Sequence, residues 1–228
     1  MNARIATAGL VLLLAIPAAR AADDVYVEFL WSPTPADALA RSQTQLFIAD
    51  GQHDHRICVA ADLDDTDVGG LQIEIRDAKG GRVSRTAHED YRGRKKCYEA
   101  DLGTAGAVGM WTVDAVLGDG RRGSAQIRVD HRLETSPLYL RHDQPYVAGR
   151  PNYDASIPPA EWVGTLVWAM DVDAEGNVTH VEVEHAEGVG ERLRERALAA
   201  GWLSRFGPDP ARQAKPLRWR RTLQFASE

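Results

Sequence analysis

The sequence predicts a mainly β protein of two domains, an immunoglobulin-like β-sandwich followed by a small α+β domain. Two observations support this prediction. From residue 25 to about residue 129, apolar and polar residues alternate in short runs separated by turn residues, which is the pattern of strands with one buried face. After about residue 150 the pattern changes to strand, turn, strand, helix, strand. We therefore predict the sandwich over residues 22–132, a linker over 133–149 and the α+β domain over 150–228.

Residues 1–21 have the three parts of a cleavable signal peptide. Arg4 precedes an apolar run over residues 10–16, and Ala19-Arg20-Ala21 follows as a small-x-small cleavage site. The apolar run is much shorter than the roughly 20 residues of a membrane-spanning helix, so an uncleaved anchor is the weaker alternative. The sequence therefore predicts a periplasmic protein without a stable membrane anchor.

The predicted sandwich rests on five segments with clear period-2 alternation. Their apolar positions are Val25/Val27/Phe29/Trp31, Ile57/Val59/Ala61, Leu71/Ile73/Ile75, Trp111/Val113/Ala115/Leu117 and Ala125/Ile127/Val129. Each segment is expected to bury one face against a second sheet.

The two cysteines, Cys58 and Cys97, are expected to form a disulfide, because pairing is the default for exported chains. Cys58 alternates with apolar neighbours, and Cys97 shares its strand face with Lys95 and Glu99. Both sulfurs are therefore expected on a solvent face. This parity predicts a bridge between neighbouring strands of one sheet, not a bridge across the core.

The second half begins with a predicted hairpin, in which residues 163–172 and 178–185 are strands and residues 173–177 are the turn. A short helix is predicted from Glu191 to about Ala200, with Leu193 and Ala197 on its apolar stripe. The last strand places Leu217, Trp219, Leu223 and Phe225 on one face, and Arg221 interrupts this row.

Residues 150–227 contain several different short motifs in a specific order. They are Pro151-Asn152-Tyr153, Val163-Gly164, the turn at 173–178, Ala197-Leu198-Ala199-Ala200, Arg205-Phe206 with Pro208, Lys215-Pro216 and Phe225. In this order and spacing they resemble the TonB carboxy-terminal domain family. The resemblance implies a small α+β fold, an antiparallel sheet with one or two helices, that contacts outer-membrane receptors by accepting a receptor peptide as an extra strand. No long proline-rich spacer precedes these residues, so we expect binding and not force transduction.

The sequence shows no signature of catalysis, of a cofactor or of nucleic-acid binding. It contains no G-x-S-x-G, no H-E-x-x-H and no phosphate-binding glycine loop. The formal net charge of −6 disfavours nucleic acid as a partner. We therefore predict that the protein is not an enzyme and that it binds no cofactor.

The function predicted is that of a non-catalytic periplasmic adaptor. It would contact an outer-membrane receptor or another envelope protein by β-strand addition, through the last strand. The candidate partner-binding residues are Arg218, Trp219, Arg220, Thr222 and Gln224. The alternatives are an envelope assembly factor that forms homo-oligomers through the same strand, and a hydrolase without a recognisable motif.

Three clusters of polar residues have a functional interpretation and a plainer one. The acidic residues Asp62, Asp64, Asp65 and Asp67 could surround a cation, but a solvated loop is commoner. His53 and His55 provide too few ligands for a structural zinc site. The basic residues between 192 and 221 could face an acidic partner or anionic lipid, but a solvated surface is commoner. No metal site is predicted.

Overall fold

The computed structural model describes residues 25–35, 38–61, 69–89, 91, 95–100, 102, 106–152, 157–158 and 161–225. The predicted signal peptide and the acidic run at residues 62–67 lie outside the described residues. Within the described ranges, no helix is long and apolar enough to cross a membrane.

The described chain forms one α-helix and a series of strands. The strands are β1 (Val25–Leu30), β2 (Ala40–Thr44), β3 (Leu46–Ile48), β4 (Arg56–Ala61), β5 (Leu71–Arg76), β6 (Arg82–His88), β7 (Lys95–Glu99), β8 (Gly109–Leu117), β9 (Arg122–Asp130), β10 (Pro145–Pro151), β11 (Trp162–Val172), β12 (Val178–Val189), β13 (Arg205–Phe206) and β14 (Leu217–Phe225). The helix is α1 (Glu191–Leu203).

The strands form three sheets that curl into a half-barrel. The strand orders are β13-β10-β2-β1-β4-β7, β3-β9-β8-β5-β6 and β12-β11-β14. The pairings are antiparallel, except that β3 and β9 pair in parallel. The six-stranded sheet contains strands from both halves of the chain.

The first core lies between the six-stranded and five-stranded sheets. In β8 the alternation buries Trp111, Val113, Ala115 and Leu117, which is how a half-buried strand forms. These side chains pack with apolar residues of the facing strands β1 and β4. The indole nitrogen of Trp111 donates a hydrogen bond to the carbonyl of Ala107 at 2.7 Å.

The second core lies between one face of α1 and the strands against which the helix packs. Leu193, Ala197 and Ala200 recur on one face of the helix and are fully buried. They belong to a cluster with Trp168 of β11 and Ala40 of β2. The helix packs against β10 and β2 as well as β11 and β12, so strands of both halves of the chain contact it.

The predicted fold class, an immunoglobulin-like β-sandwich plus a small α+β domain, is wrong. The described residues are 54% strand and 12% helix, in three sheets with one α-helix, and no separate small α+β domain is seen among them. The physical reason is the pairing of β10 with β2 across five residue pairs, from Val147↔Thr44 to Pro151↔Ala40. This pairing, extended by β13, joins the second half of the chain to the first sheet.

Gly149 permits the close approach of β10 and α1. A Cβ at this position would lie 1.6 Å from the carbonyl oxygen of Ala200. The backbone N–H of Gly149 also donates a hydrogen bond to Oγ of Ser204 at 3.1 Å. The junction between strand and helix therefore depends on the absence of a side chain at Gly149.

Individual elements of the second half are confirmed. The predicted hairpin is formed by β11 and β12, and the predicted last strand is β14. The helix begins at Glu191 as predicted and continues to Leu203. Within the predicted linker, the structure forms a short 3-10 helix at Leu133–Thr135 and the first residues of β10. The domain boundaries themselves stay a prediction.

The disulfide between Cys58 and Cys97 is confirmed. The two cysteines lie directly opposite each other on the neighbouring strands β4 and β7, as the parity of the sequence predicted. Cys97 is exposed, but Cys58 is only 1% exposed, so the expectation of two solvent-facing sulfurs is half wrong. Strand β4 lies between β1 and β7, and the ion pair between Lys95 of β7 and Glu28 of β1 reaches across it. Long charged side chains cover underlying surface in this way.

Candidate functional site

Strand β14 is an edge of the three-stranded sheet and has β11 as its neighbour. The two strands pair over nine residue pairs, from Gly164↔Phe225 to Val172↔Leu217, without a register shift. The opposite edge strand, β12, has three register shifts against β11. Regular edge strands are templates for an incoming strand, and bulged ones are not.

The inner face of β14 carries an apolar row that the protein covers only in part. Leu217, Trp219, Leu223 and Phe225 pack against the second core and stay partly exposed. On the neighbouring strand β11, four residues of the second core are fully buried: Leu166, Trp168, Met170 and Val172. The Trp219 ring meets the ring of Phe206 edge-on, with 5.9 Å between centroids. The edge of this sheet therefore presents apolar surface that another strand could cover.

Arg221 occupies the remaining position of the inner row. Its guanidinium lies over the Trp168 ring, 5.9 Å from the centroid. Its Nη1 donates to the carbonyl oxygen of Gly149 at 3.3 Å. The interruption that Arg221 makes in the apolar pattern thus connects β14 to β10.

The outer face of β14 carries Arg218 and Arg220, which are paired with acidic residues of the same sheet. Arg218 donates from Nη1 to Asp171 at 2.9 Å and from Nη2 to Glu184 at 2.8 Å, and it also pairs with Glu182. Arg220 donates from Nε to the second oxygen of Glu184 at 2.8 Å. Hydrogen bonds from Arg220 and Arg218 hold the pKa of the Glu184 carboxyl below its usual range. These pairs neutralise the basic charge of the strand within the sheet.

The structure places the predicted partner-binding residues on both faces of one edge strand. Arg218, Arg220, Thr222 and Gln224 share the outer face, where Thr222 and Gln224 are exposed. Trp219 lies on the inner face. The role of these residues in binding stays a prediction.

Sequence reasoning missed the acidic residues that pair with Arg218 and Arg220. Asp171 faces Arg218 directly across the β11–β14 ladder. Glu182 and Glu184 come from β12, on the far side of β11. From the alternation within β12, both glutamates could have been predicted to lie on the solvent face. Their contact with Arg218 could not be predicted without the order of the strands in the sheet.

The His53 and His55 pair does not form a surface metal site. His55 is 1% exposed, and both of its ring nitrogens are used. Nε2 accepts from the backbone N–H of Ile48 at 2.9 Å, and Nδ1 bonds the carbonyl oxygen of Trp31 at 3.1 Å. His53 bonds the carboxylate of Asp50 instead. Among the described residues, no group of three or more potential ligands could hold a metal ion.

A groove of about 600 Å³ lies on the outer face of the five-stranded sheet. Glu74, Arg76 and Asp114 line it, and Arg76 bridges the two carboxylates at 2.8 and 2.9 Å. Ser124 is among the described residues that line the groove, and none of these is a histidine. The described residues of the groove thus present paired charges, and none of them is a serine with a histidine base beside it.

No protein-family model matches the chain, and no curated protein matches it. The resemblance of residues 150–227 to the TonB carboxy-terminal domain family therefore stays a prediction.

Proposed function

We propose that the protein is a non-catalytic, protein-binding adaptor that binds a partner segment as an additional strand beside β14. The observation that carries the proposal is the regular pairing of this edge strand. It pairs with β11 over nine residue pairs without a bulge, and it carries a partly exposed apolar row. An added strand would bond to backbone groups of β14 and extend the second core. The proposal does not depend on the basic charge of the strand, because Arg218 and Arg220 have partners within the sheet.

The chemistry of β14 defines the partner segment. Side chains of a strand alternate between the two faces of a sheet. The partner therefore needs apolar residues at every second position, to cover Trp219, Leu223 and Phe225. Its other residues would lie beside Thr222 and Gln224, which are exposed and uncharged, so polar residues fit there.

The cellular part of the proposal rests on the sequence. The signal-peptide pattern of residues 1–21 supports a periplasmic location. The resemblance of residues 150–227 to the TonB carboxy-terminal domain family supports an outer-membrane receptor or another envelope protein as the partner.

Site-specific photo-crosslinking tests the proposed edge. Thr222 of β14 and Thr179 of β12 are both exposed threonines, on the two opposite edges of one sheet. A photoreactive amino acid at Thr222, introduced in cells, is expected to give one discrete adduct with an envelope protein. The same amino acid at Thr179 is the matched control and is expected to give none. Mass spectrometry of the adduct then identifies the partner segment.

Two outcomes would contradict the adaptor proposal. Adducts of equal yield from Thr222 and Thr179 would show that the edge of β14 has no special role. An adduct at Thr222 that contains only a second copy of this chain would favour the alternative, a self-associating assembly factor.

A further inference from the structure

A second charged cluster lies on the outer face of the six-stranded sheet, away from β14. Its members are Glu28 of β1, Arg41 of β2, Lys95 of β7 and Arg150 of β10. Parity places them on the face opposite the two cores, since Val27 and Ala40, their neighbours in sequence, pack inward. Three cations and one carboxylate therefore share a single sheet face.

Glu28 is the centre of this cluster and is shielded from solvent. Its side chain is 15% exposed, and that of Arg41 is 16% exposed. Arg41 donates from Nε to Glu28 at 2.6 Å and from Nη1 to the side-chain oxygen of Asn152 at 3.1 Å. Lys95 donates to the second oxygen of Glu28. Arg41 is therefore held in one orientation, with both carboxylate oxygens of Glu28 occupied.

Arg150 is the cation of this cluster for which the described residues provide no countercharge. It lies directly opposite Arg41 in the β10–β2 ladder, and like charges in such positions repel each other. The described residues place no carboxylate within ion-pair distance of Arg150, and its buried Nε has no hydrogen-bond partner. The cluster therefore has two positive charges more than Glu28 can balance.

The pKa values of Lys95 and Glu28 are both lowered, which agrees with this excess of positive charge. Burial lowers the pKa of the Lys95 ammonium, and Arg41 and Arg150 lower it further, against the opposing effect of Glu28. Burial raises the pKa of Glu28, but Arg41 and Lys95 outweigh it and hold this pKa below its usual range. An anion placed between Arg41 and Arg150 would relieve the repulsion.

We propose that Arg41, Lys95 and Arg150 form a binding site for a phosphate monoester on the outer face of the six-stranded sheet. A phosphate monoester carries nearly two negative charges at neutral pH, which matches the excess of the cluster. The planar guanidinium group of Arg150 suits phosphate oxygens, because its two terminal nitrogens can donate parallel hydrogen bonds. Arg41 would add a bond from Nη2, since its Nε and Nη1 already donate to Glu28 and Asn152. A phosphodiester, such as a phospholipid headgroup, carries one charge and would leave the cluster partly unbalanced.

An NMR titration of the folded protein with phenyl phosphate, at constant ionic strength, tests this site. We expect saturable shifts of the amides around Arg41 and Arg150 in the wild type. Arg150→Gln is expected to weaken binding at least tenfold. Arg150→Lys is expected to weaken it less, because lysine retains the positive charge but lacks the planar guanidinium group. Arg82→Gln is the matched control, since Arg82 is exposed on β6 of another sheet and loses the same charge. It is expected to bind as the wild type does.

A second arm separates the monoester from a lipid source. Vesicles of phosphatidylcholine, with and without phosphatidylglycerol, are tested for binding to the wild type and to Arg150→Gln. We expect no binding that depends on Arg150. The proposal is overturned if phenyl phosphate does not saturate, or if Arg150→Gln and Arg82→Gln weaken binding equally. Binding to phosphatidylglycerol that requires Arg150, without binding of phenyl phosphate, would assign the site to a phosphodiester and overturn the monoester.

Discussion

Gly149→Ala is expected to lower the free energy of unfolding by about 3 kcal/mol or more, the upper range for overpacking a close contact. The added Cβ would lie 1.6 Å from the carbonyl oxygen of Ala200, far inside van der Waals contact. Strand β10 and helix α1 would have to separate, and this disturbs both the pairing of β10 with β2 and the packing of the second core. Urea unfolding measures the change, provided that the slope of the transition stays the same.

Gly120→Ala is the matched control for this substitution. Gly120 has a φ of +93°, and a Cβ there would meet no atom within 4 Å. Its replacement is expected to cost about 1 kcal/mol, from the unfavourable backbone conformation alone. If Gly149→Ala costs no more than Gly120→Ala, β10 does not approach α1 as closely as described, and the link between the two halves of the chain loses its main support.

The second large effect is expected from the buried imidazole of His55. Because Nε2 accepts a hydrogen bond from the N–H of Ile48, a proton on Nε2 would break this bond in the folded state. Burial lowers the pKa of His55 to about 4, against an ordinary value of 6.5. The unfolded chain therefore binds the proton more readily at mildly acidic pH, and the folded protein loses stability as the pH falls. Linkage predicts a loss of about 2 kcal/mol between pH 7 and pH 5 from this group.

His55→Gln isolates this contribution, since glutamine can accept from Ile48 and donate to Trp31 but does not titrate. The free energy of unfolding is measured at pH 7 and at pH 5 for the wild type and the variant. The wild type is expected to lose about 2 kcal/mol more than the variant over this interval. An equal loss in both proteins would mean that His55 is not held neutral by its burial.

Local patterns were sufficient to predict several elements of this structure. The hairpin of β11 and β12, the start of α1 and the last strand follow from alternation and helical spacing over a few residues. The disulfide between neighbouring strands follows from the parity of Cys58 and Cys97. Each of these features depends on residues close together in sequence or on the face of one strand.

The fold class failed because β2 has no apolar pattern. Its buried face consists of Ala40, Ser42 and Thr44, two of which are polar. The Thr44 hydroxyl is satisfied by the carbonyl of Tyr146 on β10, at 2.9 Å. A strand of this kind becomes stable only after it pairs with β10, about a hundred residues later in the chain, and alternation within a single strand cannot reveal that pairing.

The candidate edge was predicted, but its electrostatics were not. The sequence shows Arg218 and Arg220 as part of a basic stretch. In the sheet they lie within hydrogen-bond distance of Asp171 and Glu184. Since these contacts depend on the register of three strands, the sequence alone could not show that the charges of Arg218 and Arg220 are balanced within the sheet. The partly exposed apolar row that includes Trp219 is the feature that a partner strand would contact.

Amide hydrogen exchange on β14 tests the central proposal most directly. The partner segment identified by cross-linking at Thr222 is added to the protein as a synthetic peptide. We predict that exchange slows at least tenfold within Leu217–Phe225 and stays unchanged within β12, because the added strand would pair with backbone groups of β14. Unchanged exchange in β14 with the peptide bound would contradict strand addition, and would show that the partner is held by side chains alone.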